Sequence, residues 1–316
     1  MHSLLFYLFR LFHPQGAIVG RALLFIFSLV SVGIATSAHA TTAKLDPNNI
    51  QTASVSTYVT DLKSGKTLYK KNQNVVMPLA SITKLMTAMV TLDAKLPLDE
   101  KITFKPIDKK RMYNGYTRIR MESRLSRGET IHIALMSSEN LAAAALAGSY
   151  PGGYDAFIKA MNAKAKALGM TNTRFVDSSG LDPKNVSTAS DINKMAKAAY
   201  KYTKIREYST TPVHTVYFTK PKYKLGYTNT NVLARGKKWD VEMTKTGYLD
   251  IAGHCLTMIT KINGKEILMV MLDAQGKLTP IGDAGRIKKW LQTGYSGKIS
   301  DSAKNYQQVK LADLKG

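Results

Sequence analysis

Cysteine is nearly absent from this 316-residue chain: Cys255 is the only one. A lone thiol excludes an internal disulfide, so the fold must be held by packing. Between His254 and Leu256, Cys255 reads as a packed strand residue and not as a reactive group. Histidine is also sparse. Beyond residue 40 only His132, His214 and His254 occur, too scattered for a helix-borne metal motif. There is no glycine-rich phosphate loop and no internal repeat. No metal and no cofactor are therefore expected. Acidic residues are few, 22 against 45 Lys and Arg, which leaves a net charge of +23. Long apolar runs are confined to the first 40 residues, so no later segment reads as a membrane span.

The amino-terminal segment looks like a targeting signal. Arg10 and Arg21 precede an apolar run from Ala22 to about Ile34, and Ala38-His39-Ala40 gives a small-x-small cleavage pattern. Residues 1–40 are expected to be a signal peptide cut after Ala40, with a retained anchor as the alternative. A second apolar patch, Leu4 to Phe12, allows a translation start later than Met1. Residues 41–316 suffice for one large domain. Export makes nucleic acid a poor partner for the positive charge. Cell-wall polymers, lipopolysaccharide and anionic membrane surfaces are the polyanions left, and solubility alone is an equal explanation.

Residues 41–52 read as an extended lead-in. Alternation from Ala53 to Asp61, the turn Lys63-Ser64-Gly65 and the return Lys66 to Lys70 predict a hairpin. Apolar spacing predicts a helix from Leu79 to Leu96, stopped by Pro97. Further helices are expected over Ile131–Met136, Leu141–Leu146, Tyr154–Met170 and from Thr188, as cap, to about Tyr202. Thr171 to Val186 reads as a long loop. The period then changes to two: strands are predicted at Val213–Phe218, Trp239–Thr246, Gly253–Ile262 and Glu266–Asp273, with Asn263-Gly264 turning the last pair. A helix over Ile281–Gln292 closes the domain, and residues 298–316 are expected to fray as a polar tail. The pattern predicts an antiparallel sheet that gathers both chain ends, with helices inserted between its halves.

Three motifs carry chemistry. Ser81-Ile82-Thr83-Lys84 is the only serine followed three residues later by lysine, which on a helix puts hydroxyl and amine on one face. Ser138-Glu139-Asn140 and Lys245-Thr246-Gly247 follow in that order, the set that marks acyl-serine enzymes. Each also has a plain structural reading. Ser81, Ser138 and Asn140 are helix-cap types, and Lys245-Thr246-Gly247 suits a strand end. Lys63-Ser64-Gly65 fits the last pattern too, but lies in a turn ahead of Ser81. Acyl transfer would use Ser81 as nucleophile and Lys84 as base, its pKa lowered by burial and by Lys245 as a second cation. Ser138 would relay the proton and Asn140 would hold Lys84. Lys245 and Thr246 would grip a substrate carboxylate, and Gly247 would let a substrate strand lie close. The amides of Ser81 and Tyr248 would form an oxyanion hole.

PLASITKLMTAMVTLDAKLPLDE (78–100), ALMSSEN (134–140), YPGGYDAFIKAMNAKAKALGMTNTRF (150–175) and MTKTGYLDIAGHC (243–255) make the chain resemble low-molecular-mass penicillin-binding proteins, peptidase family S11. It looks most like the D-alanyl-D-alanine endopeptidase type. The resemblance covers about 53–295. It implies an α/β (α+β) serine β-lactamase and penicillin-binding transpeptidase-like fold, an antiparallel sheet flanked by helices plus an all-helical subdomain. Residues 41–297 would form the catalytic domain. It further implies a periplasmic hydrolase of peptidoglycan cross-links, acylated at Ser81 by substrate or by β-lactam antibiotics. Ser81, Lys84, Ser138, Asn140, Lys245, Thr246, Gly247 and Tyr248 are the positions carried over. The short polar segment after the last predicted helix favours the endopeptidase over carboxypeptidases with a further β domain and membrane anchor. The alternatives are a carboxypeptidase that trims pentapeptide stems, a class A β-lactamase and a non-catalytic wall-binding protein. The β-lactamase reading lacks its loop glutamate: Thr171–Val186 offers only Asp177 and Asp182.

Overall fold

The computed structural model describes residues 45–313; the expected signal peptide lies outside the described residues. In chain order, β1 (Ser56–Asp61) and β2 (Thr67–Lys71) form the first hairpin, and β3 (Met77–Pro78) leads into a 3-10 turn, Ala80–Thr83, and α1 (Lys84–Asp93). β4 (Lys101–Thr103), α2 (Pro106–Arg111) and β5 (Arg124–Ser126) precede α3 (Arg127–Met136), α4 (Asn140–Gly148) and α5 (Gly153–Ala167). β6 (Val186–Ser187), α6 (Ala189–Tyr200) and α7 (Thr203–Thr210) lead to a second hairpin, β7 (Val213–Phe218) and β8 (Tyr223–Thr228). α8 (Val232–Arg235), β9 (Val241–Leu249), β10 (Gly253–Ile262), β11 (Lys265–Leu272), α9 (Thr279–Thr293) and α10 (Asp301–Asp313) complete the chain.

The main sheet has the order β2-β1-β11-β10-β9, every pair antiparallel. Both chain ends meet in it, as the pattern predicts. β11 sits at its centre and is apolar from Ile267 to Leu272 because both its faces are covered. Ile267, Met269 and Met271 face Ala284, Ile287 and Trp290 of α9, while Leu268, Val270 and Leu272 face the helical block. Burying one such side chain stabilises by about 1.5–3 kcal/mol. α1 and α4 run through the middle of the helical block. Residues 84–91 of α1 and 141–147 of α4 are buried on all sides, which explains the apolar run LAAAALA.

Several expected elements fall within a few residues of their places. Thr188 caps α6 through the Asp191 amide at 3.1 Å. The Lys63-Ser64-Gly65 motif is turn chemistry: Asp61 Oδ1 accepts from the Lys63 and Ser64 amides, and Gly65 has φ +69°. The tail corrects an expectation. Residues 301–313 are helical and not frayed, with Tyr306 Oη donating to Asp273 Oδ1 at 2.6 Å and Gln307 Nε2 to the Thr52 carbonyl at 2.9 Å. Polar anchors hold most of this helix, so no apolar stripe announces it.

Candidate active site

The three motifs lie on three different elements that meet in one cleft of about 410 Å³. Ser81 sits in the 3-10 turn, Lys84 opens α1, Ser138 and Asn140 occupy the α3–α4 junction, and Lys245 to Tyr248 lie on β9, the outer strand of the sheet. The capping readings fail. Thr83 is the residue before α1, and Glu139 caps α4 by accepting from the Leu141 amide at 3.3 Å. The Ser81 hydroxyl instead meets Lys84 Nζ at 2.8 Å.

Lys84 is fully buried and has three partners: Ser81 Oγ at 2.8 Å, Asn140 Oδ1 at 2.7 Å and the Ser179 carbonyl at 2.6 Å. Two of these can only accept. A neutral amine has two N–H groups for them and one lone pair left, which faces the only partner able to donate, the Ser81 hydroxyl. Burial lowers the Lys84 pKa to about 7, opposed by the nearby carboxylates of Asp177 and Glu139. The amine is therefore available as a base near neutral pH.

Lys245 is also buried. It donates to Ser138 Oγ at 2.9 Å and to the Thr246 carbonyl at 2.8 Å. Burial first, then repulsion from Lys84, hold its pKa well below the usual lysine value. Of the two causes expected to lower the Lys84 pKa, burial and Lys245, desolvation is the main one, as it is for Lys245. Ser138 has φ +63°, a left-handed conformation that marks a constrained corner. Thr246 Oγ1 lies 2.6 Å from Thr230 Oγ1, and Tyr248 stacks on His254 with 4.2 Å between ring centres.

Gly247 packs against the turn that carries Ser81. A Cβ there would lie 3.1 Å from the Ser81 amide nitrogen and 3.2 Å from the Leu79 carbonyl. Glycine here permits a close approach between β9 and the turn carrying Ser81.

Sequence reasoning missed the support behind Ser81. Asp177 is buried and accepts from the amides of Ser179, Gly180 and Asp182 and from the Ser179 hydroxyl. That folds the loop so that the Ser179 carbonyl reaches Lys84. Asn185 ties the same loop to the Thr83 hydroxyl at 3.1 Å. The run Asp177-Ser178-Ser179-Gly180 is an Asx-turn signal, legible once its carboxylate is read as a backbone acceptor. The two loop carboxylates are otherwise engaged: Asp182 accepts from Tyr113 Oη at 2.7 Å. Thr230 and Lys277 also line the cleft and were not anticipated.

His132 and His214, distant in sequence, stack at 4.2 Å with Glu129 beside them. Glu129 Oε2 lies 2.6 Å from His214 Nε2, and Tyr208 covers the other face of His132. Parallel rings aim their nitrogens side by side, so this cluster reads as an aromatic stack joining α3 to β7. Cys255 is buried, and its thiol pKa is pushed up to about 12, which fits a packing role.

Known proteins resemble this chain in sequence and fold. The chain is 48% identical over 286 residues to a D-alanyl-D-alanine endopeptidase of Pseudomonas aeruginosa, covering 90% of this chain and 92% of that protein. It is 45% identical to a D-alanyl-D-alanine endopeptidase of Escherichia coli over 93% of both chains. Penicillin-binding protein D2 of Listeria monocytogenes, solved in its ampicillin-bound form, superposes with a TM-score of 0.65 at 29% identity, over 78% of this chain and 98% of that one. The family described as D-alanyl-D-alanine carboxypeptidase, peptidase S11, matches residues 39–276. With its serine, paired lysines and penicillin-binding fold, the chain belongs to that family of serine D,D-peptidases.

Proposed function

We propose that this enzyme hydrolyses the D-alanyl–meso-diaminopimelate cross-links of peptidoglycan through an acyl-enzyme at Ser81. The observation that carries the chemistry is the donor–acceptor accounting at Lys84, which leaves a lone pair for the Ser81 proton. In acylation, Ser81 Oγ attacks the D-alanyl carbonyl while its proton passes to Lys84. The Ser138 hydroxyl, held by Lys245, relays that proton, giving its own to the leaving amine as it takes the one on Lys84. Backbone amides of Ser81 and Tyr248 receive the developing oxyanion. Lys245 and Thr246 hold the carboxylate beside the scissile amide. Water then releases the D-alanyl product and restores Ser81. The near full-length match to two endopeptidases supports this bond over a terminal D-alanine.

Penicillins would acylate Ser81 and stay bound, since no loop carboxylate is free to activate water as in class A β-lactamases. Residues 41–297 are proposed as the catalytic domain, delivered to the periplasm by cleavage after Ala40. Among the described residues no helix is long and apolar enough to cross a membrane.

The test uses residues 41–316 and a Ser81→Ala variant, each incubated with cross-linked muropeptide dimers and with intact sacculi. Products are followed by mass spectrometry. Loss of cross-links with the parent alone is expected. Release of D-alanine from pentapeptides with every cross-link intact would overturn the endopeptidase reading in favour of a carboxypeptidase.

A further inference from the structure

The positive charge is not uniform. Arg118, Arg120 and Arg124 precede α3, Lys220, Lys222 and Lys224 sit at the β7–β8 turn, and all six are exposed. Both segments together hold one carboxylate, Glu122. Folding brings them side by side. Arg124 and Thr219 exchange backbone hydrogen bonds at 2.8 and 2.9 Å, and the Arg120 amide donates to Tyr223 Oη at 3.0 Å. Two guanidinium groups lie over tyrosine rings, Arg118 over Tyr227 and Arg120 over Tyr223, each with Cζ 4.9 Å from the ring centre. None of the six forms an ion pair among the described residues, although ten such pairs occur elsewhere. Cations gathered on a paired backbone without counter-charges repel each other, so an anion bound there gains more than it would from scattered lysines.

The patch is continuous with the cleft. Thr230, two residues beyond β8, touches Thr246 through their hydroxyls. Thr117, beside Arg118, bonds Glu139 at 3.2 Å, between Ser138 and Asn140. A polymer whose scissile link lies over Ser81 can therefore run across the β7–β8 hairpin.

We propose that this hairpin surface is a second binding site for the substrate polymer, taking the free carboxylates of peptide stems next to the one being cut. The proposal rests on the peptidoglycan reading above. Repeated carboxylates spaced along a strand match a row of unpaired cations, and binding at a distance from the bond raises the time the polymer spends at the cleft.

The experiment replaces Lys220, Lys222 and Lys224 by glutamine together. A control with the same charge change replaces the exposed Lys63, Lys66 and Lys70 of the β1–β2 hairpin. Penicillin labelling of both variants at the parent rate shows that fold and nucleophile are intact. Each is also made in a Ser81→Ala background, and pelleting with purified sacculi is measured at increasing salt. The β7–β8 variant should bind sacculi about tenfold more weakly than parent and control, with a shallower salt dependence. Its turnover of sacculi should fall in step. Equal binding by the two variants would overturn the proposal, as would parent binding to anionic phospholipid vesicles that is lost in the variant while sacculi are still held. If sacculi binding is lost as expected but the parent cuts no cross-links, the reaction assigned above fails and the binding surface stands.

Discussion

Gly180 lies directly against Ala80: a Cβ on Gly180 would sit 1.8 Å from the Ala80 carbonyl oxygen. Ala80 itself is held at φ +45°, immediately before Ser81, and Gly180 at φ +82°. The turn that presents Ser81 is thus braced from behind by a position where only glycine fits. For Gly180→Ala, left-handed strain adds about 1–2 kcal/mol, and overpacking against backbone about 1–3 kcal/mol. We expect a lower Tm and penicillin acylation slowed by more than about tenfold. Acylation at the parent rate with unchanged Tm would show that the contact is not needed.

The Lys84 pKa of about 7 predicts two pH effects of the same origin. Acylation needs the neutral amine, so its rate should rise with pH through about 7 and then level. Stability should also rise. The unfolded lysine keeps its proton up to about 10.4, whereas the folded one loses it near 7. Between those values the unfolded state binds more protons, and unfolding becomes less favourable as pH increases. Lys245 adds to this in the same direction. Thermal melts from pH 7 to 9, compared with Lys84→Met, should show the parent gaining on the variant. A constant difference across that window would contradict the assignment.

The sheet, the buried helices and the Ser81–Lys84 pairing were legible because each leaves a local pattern. β11 shows a short apolar run, α5 an apolar face, and Ser81 to Lys84 a helical spacing. What escaped notice leaves a weak local pattern or is held by side chains far apart in sequence. β8 alternates weakly because its outer face is Lys224, Gly226 and Thr228, and α10 is anchored through Tyr306 and Gln307. The same holds within the site. Asp177 enters the sequence reading only as a loop carboxylate where a class A β-lactamase has glutamate, yet three backbone amides and a hydroxyl occupy it, which its Asx-turn pattern signals only when the carboxylate is read as a backbone acceptor. The contact of Gly247 with the Ser81 turn left no sequence signal, because the approach of β9 to that turn is a tertiary event.

Glu139 offers a way to shift the catalytic pH profile without touching the reacting groups. Its carboxylate raises the Lys84 pKa, while its own is pushed up by burial. Gln at this position keeps an oxygen for the Leu141 amide and so preserves the α4 cap. Removing the charge should move the midpoint of the acylation profile below that of the parent, with a loss of stability under about 1 kcal/mol. A midpoint that stays in place, with the Tm unaltered, would mean that Glu139 does not act on Lys84 electrostatically.

The Tyr306–Asp273 hydrogen bond should make the stability contributed by α10 depend on pH. Asp273 is buried, and its pKa is raised by desolvation while Tyr306 and Lys310 pull it down. Tyr306→Phe removes a donor, so the folded-state pKa climbs further. A carboxyl whose folded pKa exceeds its unfolded value binds more protons when folded, and stability is lost as pH rises through that range. The variant should therefore be close to the parent in acid, where Asp273 is protonated. At pH 7 it should be less stable by about 1–3 kcal/mol, the usual loss when a buried charged acceptor is left without its donor. Denaturant titrations at pH 4 and pH 7 measure both ends. A penalty equal at the two values would mean that the contact acts through packing of the ring and not through the carboxylate.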